Sequence, residues 1–329
     1  MARAHALTVC SVSFNSRPWL EVNRELALRL NPGVEIVWLV AENSPADSPL
    51  RLPETDSGFD VRPGAEFEQR IYASGSYHHG RAMNLLLSRV RTRFALMCDP
   101  DFFIIKAGWS TEIVRHMIAN GLAIIGVPWH PQWIYKNRYF PCVHCMFVDF
   151  DRVPTEAMNF EPDYPGIPAH ARDPKHADRP GGGLRLPDPF KLGKRRLIGT
   201  SRDVGWRIAD RLGGDPSRRT ECLQPVYRPR GPWLARTVDR LMPDGLSLVP
   251  KRPGYFSANG FRAHGLPDLE SRGWEEFLWR GEPFGFHVRS QPKLKAEGAL
   301  DRHLAEIDGV LGAIVGPTTQ RSGRSPTAQ

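Results

Sequence analysis

The first 127 residues alternate short apolar runs with helix-like segments, and nothing else in the chain restricts its fold as much. Runs at 7–14, 35–40, 94–98 and 122–127 have the length of strands rather than helices. The second, Glu35-Ile36-Val37-Trp38-Leu39-Val40, is almost continuously apolar, the pattern of a parallel strand covered on both faces. Between the runs lie segments with helical spacing. Residues 19–30 place Leu20, Leu26, Ala27 and Leu30 roughly on one face. Asn15-Ser16-Arg17-Pro18 opens that segment with a capping residue and an early proline, and Asn31-Pro32-Gly33 closes it. Residues 81–90 offer Ala82, Leu85, Leu86 and Val90 for packing, a further helix is expected over 109–119, and a short strand around 59–62. Strand–helix alternation in this order predicts an α/β fold: a doubly wound, mostly parallel sheet flanked by helices and joined by right-handed crossovers.

After Val127 the pattern changes. One more core strand is expected over 144–150. Residues 161–200 are rich in proline, glycine and charge, including Gly181-Gly182-Gly183, the composition of a functional lid or a disordered segment. Helices are expected over 203–212, 268–279 and 297–315, and residues 317–329 read as a disordered tail.

With 41% hydrophobic and 24% charged residues, the 329-residue chain has the composition of a soluble globular protein. No run of 18 apolar residues is present, and residues 7–14 read as a first strand rather than a signal peptide. Five scattered cysteines, an odd number, suggest reduced thiols and a cytoplasmic location. The net charge of +8 favours anionic partners such as nucleotides, phospholipid head groups, polyanionic glycans or nucleic acid. Part of the excess falls at Lys191, Lys194, Arg195 and Arg196. No zinc-finger, RRM or helix-turn-helix pattern accompanies it, so nucleic acid is not an expected partner.

Cys98-Asp99-Pro100-Asp101 carries the strongest chemical signal. Pro100 cannot donate a ladder hydrogen bond, so the strand before it should end there. Asp99 and Asp101 would then sit at the carboxyl end of a strand, where open α/β sheets place ligands. Two hard oxygen ligands this close can hold a divalent cation, and such a cation can neutralise a diphosphate. The spacing alone also fits an ordinary polar corner. Cys142-x-His144-Cys145 offers zinc-type ligands, but it lacks a second pair, and His144 and Cys145 fit a core strand. Trp129, Trp133, Trp206 and Trp274 read as core more readily than as a sugar-stacking platform.

Four segments in order resemble the GT-A glycosyltransferases of the family 2 type: Ser11-Val12-Ser13-Phe14-Asn15-Ser16, Ala41-Glu42-Asn43-Ser44, His79-Gly80-Arg81-Ala82-Met83-Asn84 and Asp99-Pro100-Asp101. The resemblance covers residues 6–150 and, more loosely, 200–290. It implies a GT-A type sheet with an acceptor-side subdomain, a nucleotide-sugar donor (UDP-, GDP- or dTDP-linked), Mn2+ or Mg2+, and inversion at the anomeric carbon. Residues 1–150 would form the nucleotide-sugar-binding half, and 151–316 the acceptor-binding half with its basic loop. The acceptor would be a hydroxyl of a glycan, a lipid-linked glycan or a natural product. Peripheral contact with the inner membrane face is compatible with the basic surface.

By the same resemblance, Asn15 and Glu42 contact the nucleoside, although the family usually has aspartate where Glu42 stands. His78, His79 and Arg81 are expected at a helix start, where backbone N–H groups and the helix dipole suit a diphosphate. Asp101 ligates the metal, and Asp99 contacts ribose or the metal's coordination sphere. Asp203 takes the proton from the attacking hydroxyl or caps its helix. His287 completes the metal set, or is a packed core histidine between aromatics, and Arg289 lies near phosphate. Two other classes stay open: a nucleotidyltransferase of related fold, and a noncatalytic nucleotide- or polyanion-binding protein.

Overall fold

The computed structural model describes residues 6–64, 75–133, 139–163, 202–215, 217–229, 233–242, 244, 247, 249–289 and 298–316. The expected lid (164–200 of it) and the 317–329 tail lie outside these residues.

The apolar runs become the central strands. β1 (Leu7–Ser13), β2 (Ile36–Glu42), β3 (Asp60–Pro63) and β4 (Phe94–Cys98) run parallel; β1 and β4 are buried along their whole length, whereas β3, at the edge, buries only Val61. Beyond β4 the sheet continues through β7 (Pro141–Asp149), β6 (Leu122–Pro128) and β8 (Arg219–Cys222), in the order β3-β2-β1-β4-β7-β6-β8. β7 is antiparallel to both neighbours, so the sheet is mostly rather than wholly parallel.

Alternate side chains of each strand enter different cores. Leu7, Val9, Phe94 and Leu96 pack with α1 (Arg17–Leu30) and α3 (Trp109–Asn120) through Leu20, Ala27, Trp109, Ile113 and Met117. Cys10, Val12 and Met97 pack on the other face with α2 (Gly75–Leu87) and α4 (Trp206–Leu212) through Ala82, Met83, Leu86 and Ile208. Helices on both faces make the doubly wound arrangement.

A second sheet grows from the Asp99-Pro100-Asp101 corner. β5 (Phe102–Ile104) leaves the main sheet and pairs with β11 (Glu282–His287), followed by β10 (Glu275–Trp279) and β9 (Gln224–Pro225). Its Phe103, Leu278 and Phe286 pack with Leu304, Ile307 and Leu311 of α6 (Ala299–Val315) and with Trp19 of α1. α5 (Trp233–Leu241) lies outside both sheets. No helix of the described residues is long and apolar enough to cross a membrane.

The expected helix over 268–279 is corrected: only a 3-10 turn at Glu270–Arg272 forms, and Glu275–Trp279 is strand. The physical reason is the hairpin. Arg280 and Gly281 both take positive φ (55° and 82°), the conformation of a tight turn that suits the twist of paired strands. Helix α2 is also already running at Gly75, so His78 and His79 lie inside it rather than at the expected start. α4 begins at Trp206, three residues after Asp203.

Candidate functional site: an acid–histidine cluster between two sheets

The chain switches sheets at Asp99-Pro100-Asp101, and backbone bonds hold the switch. Asp99 N–H donates to the His144 carbonyl (3.0 Å), Phe102 N–H to the Asp99 carbonyl (3.1 Å), and Val288 N–H to the Asp101 carbonyl (3.0 Å). Asn23 Nδ2 donates to the Pro100 carbonyl at 2.6 Å. Each acid is therefore tied to a different sheet: Asp99 to β7, Asp101 to the end of β11.

Strand register supplies the imidazoles. Cys98 pairs with Cys145, which sets His144 beside Asp99, and His144 Nδ1 hydrogen-bonds Asp99 Oδ2. Phe102 pairs with His287, and His287 Nε2 meets Asp101 Oδ1 at 3.1 Å. The two imidazole rings are 4.4 Å apart. One ligand atom each from Asp99, His144 and His287 falls within 4.8 Å of the others. From α2, His79 Nε2 approaches Asp99 Oδ1 at 3.5 Å.

Glu275 lies beneath the cluster and is 1% exposed. Its register partner is His287, whose Nδ1 lies 3.1 Å from Glu275 Oε2. Glu275 Oε1 accepts from Arg289 Nε (2.6 Å), Gln132 Nε2 (2.6 Å) and Trp133 Nε1 (2.9 Å). The Arg289 guanidinium lies 4.6 Å from the Trp133 ring centre and 5.5 Å from that of Trp129, and Trp129 meets His144 edge to face at 4.4 Å.

These neighbours fix the charges. Burial alone would raise Asp99 and Asp101, but His144 with His79 in the first case, and His287 in the second, outweigh it and hold both carboxyls below their ordinary range. Burial likewise opposes Glu275 ionisation, yet His287 and Arg289 hold it well below the usual value. Burial would lower His287, but Asp101 and Glu275 raise it to about 9, so it is an imidazolium at neutral pH. Burial and the neighbouring His287 charge push His144 down to about 4, so it is neutral. With its Nδ1–H donated to Asp99, neutral His144 has a lone pair at Nε2. That atom and Asp99 Oδ1 are buried without a hydrogen-bond partner among the described residues.

The donor set fits a divalent cation. Orphaned buried acceptors are rare in folded proteins and call for a missing partner. Among Asp99, Asp101, Glu275, His287 and Arg289, three carboxylates face two cations, which leaves one negative charge. Carboxylate oxygen with imidazole nitrogen suits first-row divalent ions.

Of the residues expected from sequence, Asp99, Asp101, His287, Arg289 and His79 meet here. Others have different partners. Glu42 ends β2 and braces the following loop, accepting from Ser44 N–H (2.7 Å) and Leu52 N–H (2.8 Å). Asn15 takes φ 54°, accepts from Ser48 Oγ at 2.5 Å, and donates its N–H to Ser44 Oγ at 2.6 Å. His78 is buried within α2, and Arg81 is exposed with its guanidinium 5.8 Å from the Tyr77 ring centre. Asp203 Oδ1 accepts from Val204 N–H at 2.8 Å. Its segment is nonetheless aligned with the cluster's helix: Gly205 N–H donates to the Phe160 carbonyl (3.2 Å), and that carbonyl lies where a Cβ on Gly80, next to His79, would come within 2.6 Å.

His144 and Glu275 were not among the expected site residues. The readable signal for His144 was an imidazole inside an otherwise apolar strand, where burial costs free energy unless it is used. Trp206 and Trp274 are buried core, whereas Trp129 and Trp133 flank Arg289.

No protein-family profile and no curated protein matches the sequence. Solved structures similar to part of the chain include a mannosyltransferase from Pyrobaculum calidifontis in complex with GDP-Man and Mn2+ (14% identity, 47% of this chain and 47% of that one, TM-score 0.32). They also include TarS of S. aureus (13%, 47% and 50%, 0.32) and glucosyl-3-phosphoglycerate synthase from Mycobacterium tuberculosis in complex with phosphoglyceric acid (14%, 49% and 61%, 0.33). The match spans between about half and three fifths of those proteins' length, and at such TM-scores no residue role is taken from them.

Proposed function

We propose that this chain is a metal-dependent glycosyltransferase that moves a sugar from a nucleotide sugar to a hydroxyl acceptor with inversion. The observation that carries the reading is the convergence of Asp99 and Asp101, at the carboxyl end of β4, on His144 and His287, with Asp99 Oδ1 and His144 Nε2 buried and lacking a hydrogen-bond partner among the described residues.

Asp99, Asp101 and His144 would hold the cation, joined by His287 once its Nε2 proton is released, and the bound cation would supply Lewis-acid stabilisation of a departing diphosphate. The protein groups do the rest. Glu275 orients His287 by taking its Nδ1–H, leaving Nε2 turned toward Asp101. Arg289, clamped between Glu275 and two indoles, is a positioned cation for phosphate oxygens. His79 offers an imidazole on the α2 side of Asp99.

Asp203 is the proposed base. It accepts the acceptor hydroxyl proton as the new bond from that oxygen to the anomeric carbon forms and the bond to the diphosphate oxygen breaks. Net transfer yields the glycoside, the free nucleoside diphosphate and a proton. Asn15 and Glu42, at the ends of β1 and β2 and linked through Ser44, are proposed to frame the nucleoside. Mn2+ or Mg2+ serves as cofactor, and a cytoplasmic location is part of the proposal.

The test combines purified chain, a panel of UDP-, GDP- and dTDP-linked sugars and Mn2+, reading nucleoside diphosphate release with candidate acceptors. Asp203→Asn should lower turnover by about 10²–10⁴-fold with donor binding retained, the range of general-base catalysis. Wild-type turnover in that variant would remove Asp203 from the mechanism.

A further inference from the structure

Helix α5 is built inside out. Its sequence is Trp233-Leu234-Ala235-Arg236-Thr237-Val238-Asp239-Arg240-Leu241. At about 100° per residue, Trp233, Leu241, Val238 and the following Met242 trace one arc, Arg236 and Arg240 border its Trp233 edge, and Asp239 faces away. A surface helix ordinarily turns its apolar arc to the core. Here the acid is turned in: Asp239 is buried, and its carboxylate accepts from Ser247 Oγ (2.7 Å) and Val249 N–H (3.1 Å). Lys251 Nζ closes the helix end by donating to the Arg240 carbonyl (2.8 Å) and the Met242 carbonyl.

The apolar arc is left in solvent. Trp233 is 71% exposed, Leu241 83%, Val238 46% and Met242 40%. These four are half of the large apolar side chains exposed among the described residues, so they form a patch rather than scattered exceptions. Arg236 and Arg240 are exposed, and the only acid of α5 is the buried Asp239, so every exposed charge on the helix is positive. The whole chain carries +8.

We infer that α5 docks the protein on the surface of an anionic phospholipid bilayer. A convex helix with a tryptophan at one edge and arginines beside it lies in the plane of the head groups, its apolar side chains reaching the acyl boundary. The arginines complement phosphate-bearing lipid head groups, and the buried Asp239 fixes which face is presented. The inference is independent of the transfer reaction and uses none of the residues assigned to it.

The test is co-sedimentation of the full chain with phosphatidylcholine vesicles, with and without about one third phosphatidylglycerol, at ~0.1 M salt. The chain should pellet with the anionic vesicles and much less with the neutral ones. The double variant Trp233→Ser, Leu241→Ser should lose roughly ten-fold or more in partitioning, from the apolar area withdrawn. Arg236→Gln and Arg240→Gln should each lose about five-fold, since one basic residue near such a surface contributes about 1 kcal/mol. A circular-dichroism melt of each variant should match that of the parent, because the replaced side chains are exposed. Equal pelleting by parent and variants, or no preference for the anionic vesicles, overturns the inference. So does lipid-free self-association that the double variant abolishes, which would make the arc a contact between copies of the chain.

Discussion

Replacing Glu275 by glutamine removes the carboxylate charge and puts an NH2 group, two N–H donors, in place of one oxygen, and the surroundings allow neither. The native carboxylate accepts from His287, Arg289, Gln132 and Trp133, all of them donors. A glutamine amide must turn its own donor toward at least one of them, and two positive groups lose their shared counter-charge in a site where Glu275 is 1% exposed. Breaking one member of a buried ion pair costs about 3–5 kcal/mol. The Arg289 side chain is 25% exposed and keeps some contact with water, which places the expected loss near the lower figure, ~3 kcal/mol. With a urea m value of about 3 kcal/mol/M, the unfolding midpoint should fall by about 1 M. His287 should also titrate at lower pH by NMR, because one of the two carboxylates holding it near 9 is gone. A midpoint unchanged within ~0.3 M, with His287 titration unmoved, would refute Glu275 as the support of the cluster.

Two further expectations follow from the same residues. His287 is raised to about 9 in the folded chain, so its stabilisation is complete below its ordinary 6.5 and is lost as pH climbs from there to 9. His144 is lowered to about 4, so the folded state is penalised progressively as pH falls from 6.5 to 4, and the depressed Asp99, Asp101 and Glu275 add to the loss below that. Metal-free unfolding free energy should therefore peak between pH 6 and 7 and fall by on the order of 3 kcal/mol toward either side, whereas a flat profile from pH 5 to 9 would contradict the charge assignment. His144→Ala should weaken Mn2+ binding by about 10–100-fold while changing Mg2+ binding far less, because an imidazole nitrogen contributes more to a transition-metal site than to Mg2+. Equal losses for both ions, measured by isothermal titration, would remove His144 from the ligand set.

The fold was legible where chemistry is local and repetitive. Continuous apolar runs at β1, β2, β4 and β6 dictate buried strands, and the proline at 100 marks where β4 must end. The β10–β11 hairpin was not legible in the same way: Trp274-Glu275-Glu276-Phe277-Leu278-Trp279 satisfies a helical window, and only the Arg280-Gly281 turn argues for strands. In the site, Asp99 and Asp101 could be read because both carboxylates sit within three residues. The places of His144 and Glu275 in the cluster could not, because each reaches it through strand register, Cys98 against Cys145 and Glu275 against His287, and register is a property of pairing rather than of either segment. Glu42 shows another limit: its oxygens accept two backbone N–H groups of the following loop, a bracing contact that no local motif spells out.

The central claim is that the Asp99–Asp101–His144–His287 cluster presents a cation to a nucleoside diphosphate. Titration calorimetry of UDP, GDP and dTDP into the full chain, with Mn2+ and then with EDTA, tests it most directly, alongside Asp101→Asn shown by circular dichroism to be folded. At least one nucleotide should bind with Mn2+, lose that binding in EDTA, and bind Asp101→Asn at least ten-fold more weakly, a difference of about 1.4 kcal/mol. Nucleotide binding of equal strength in EDTA, or in Asp101→Asn, would contradict it.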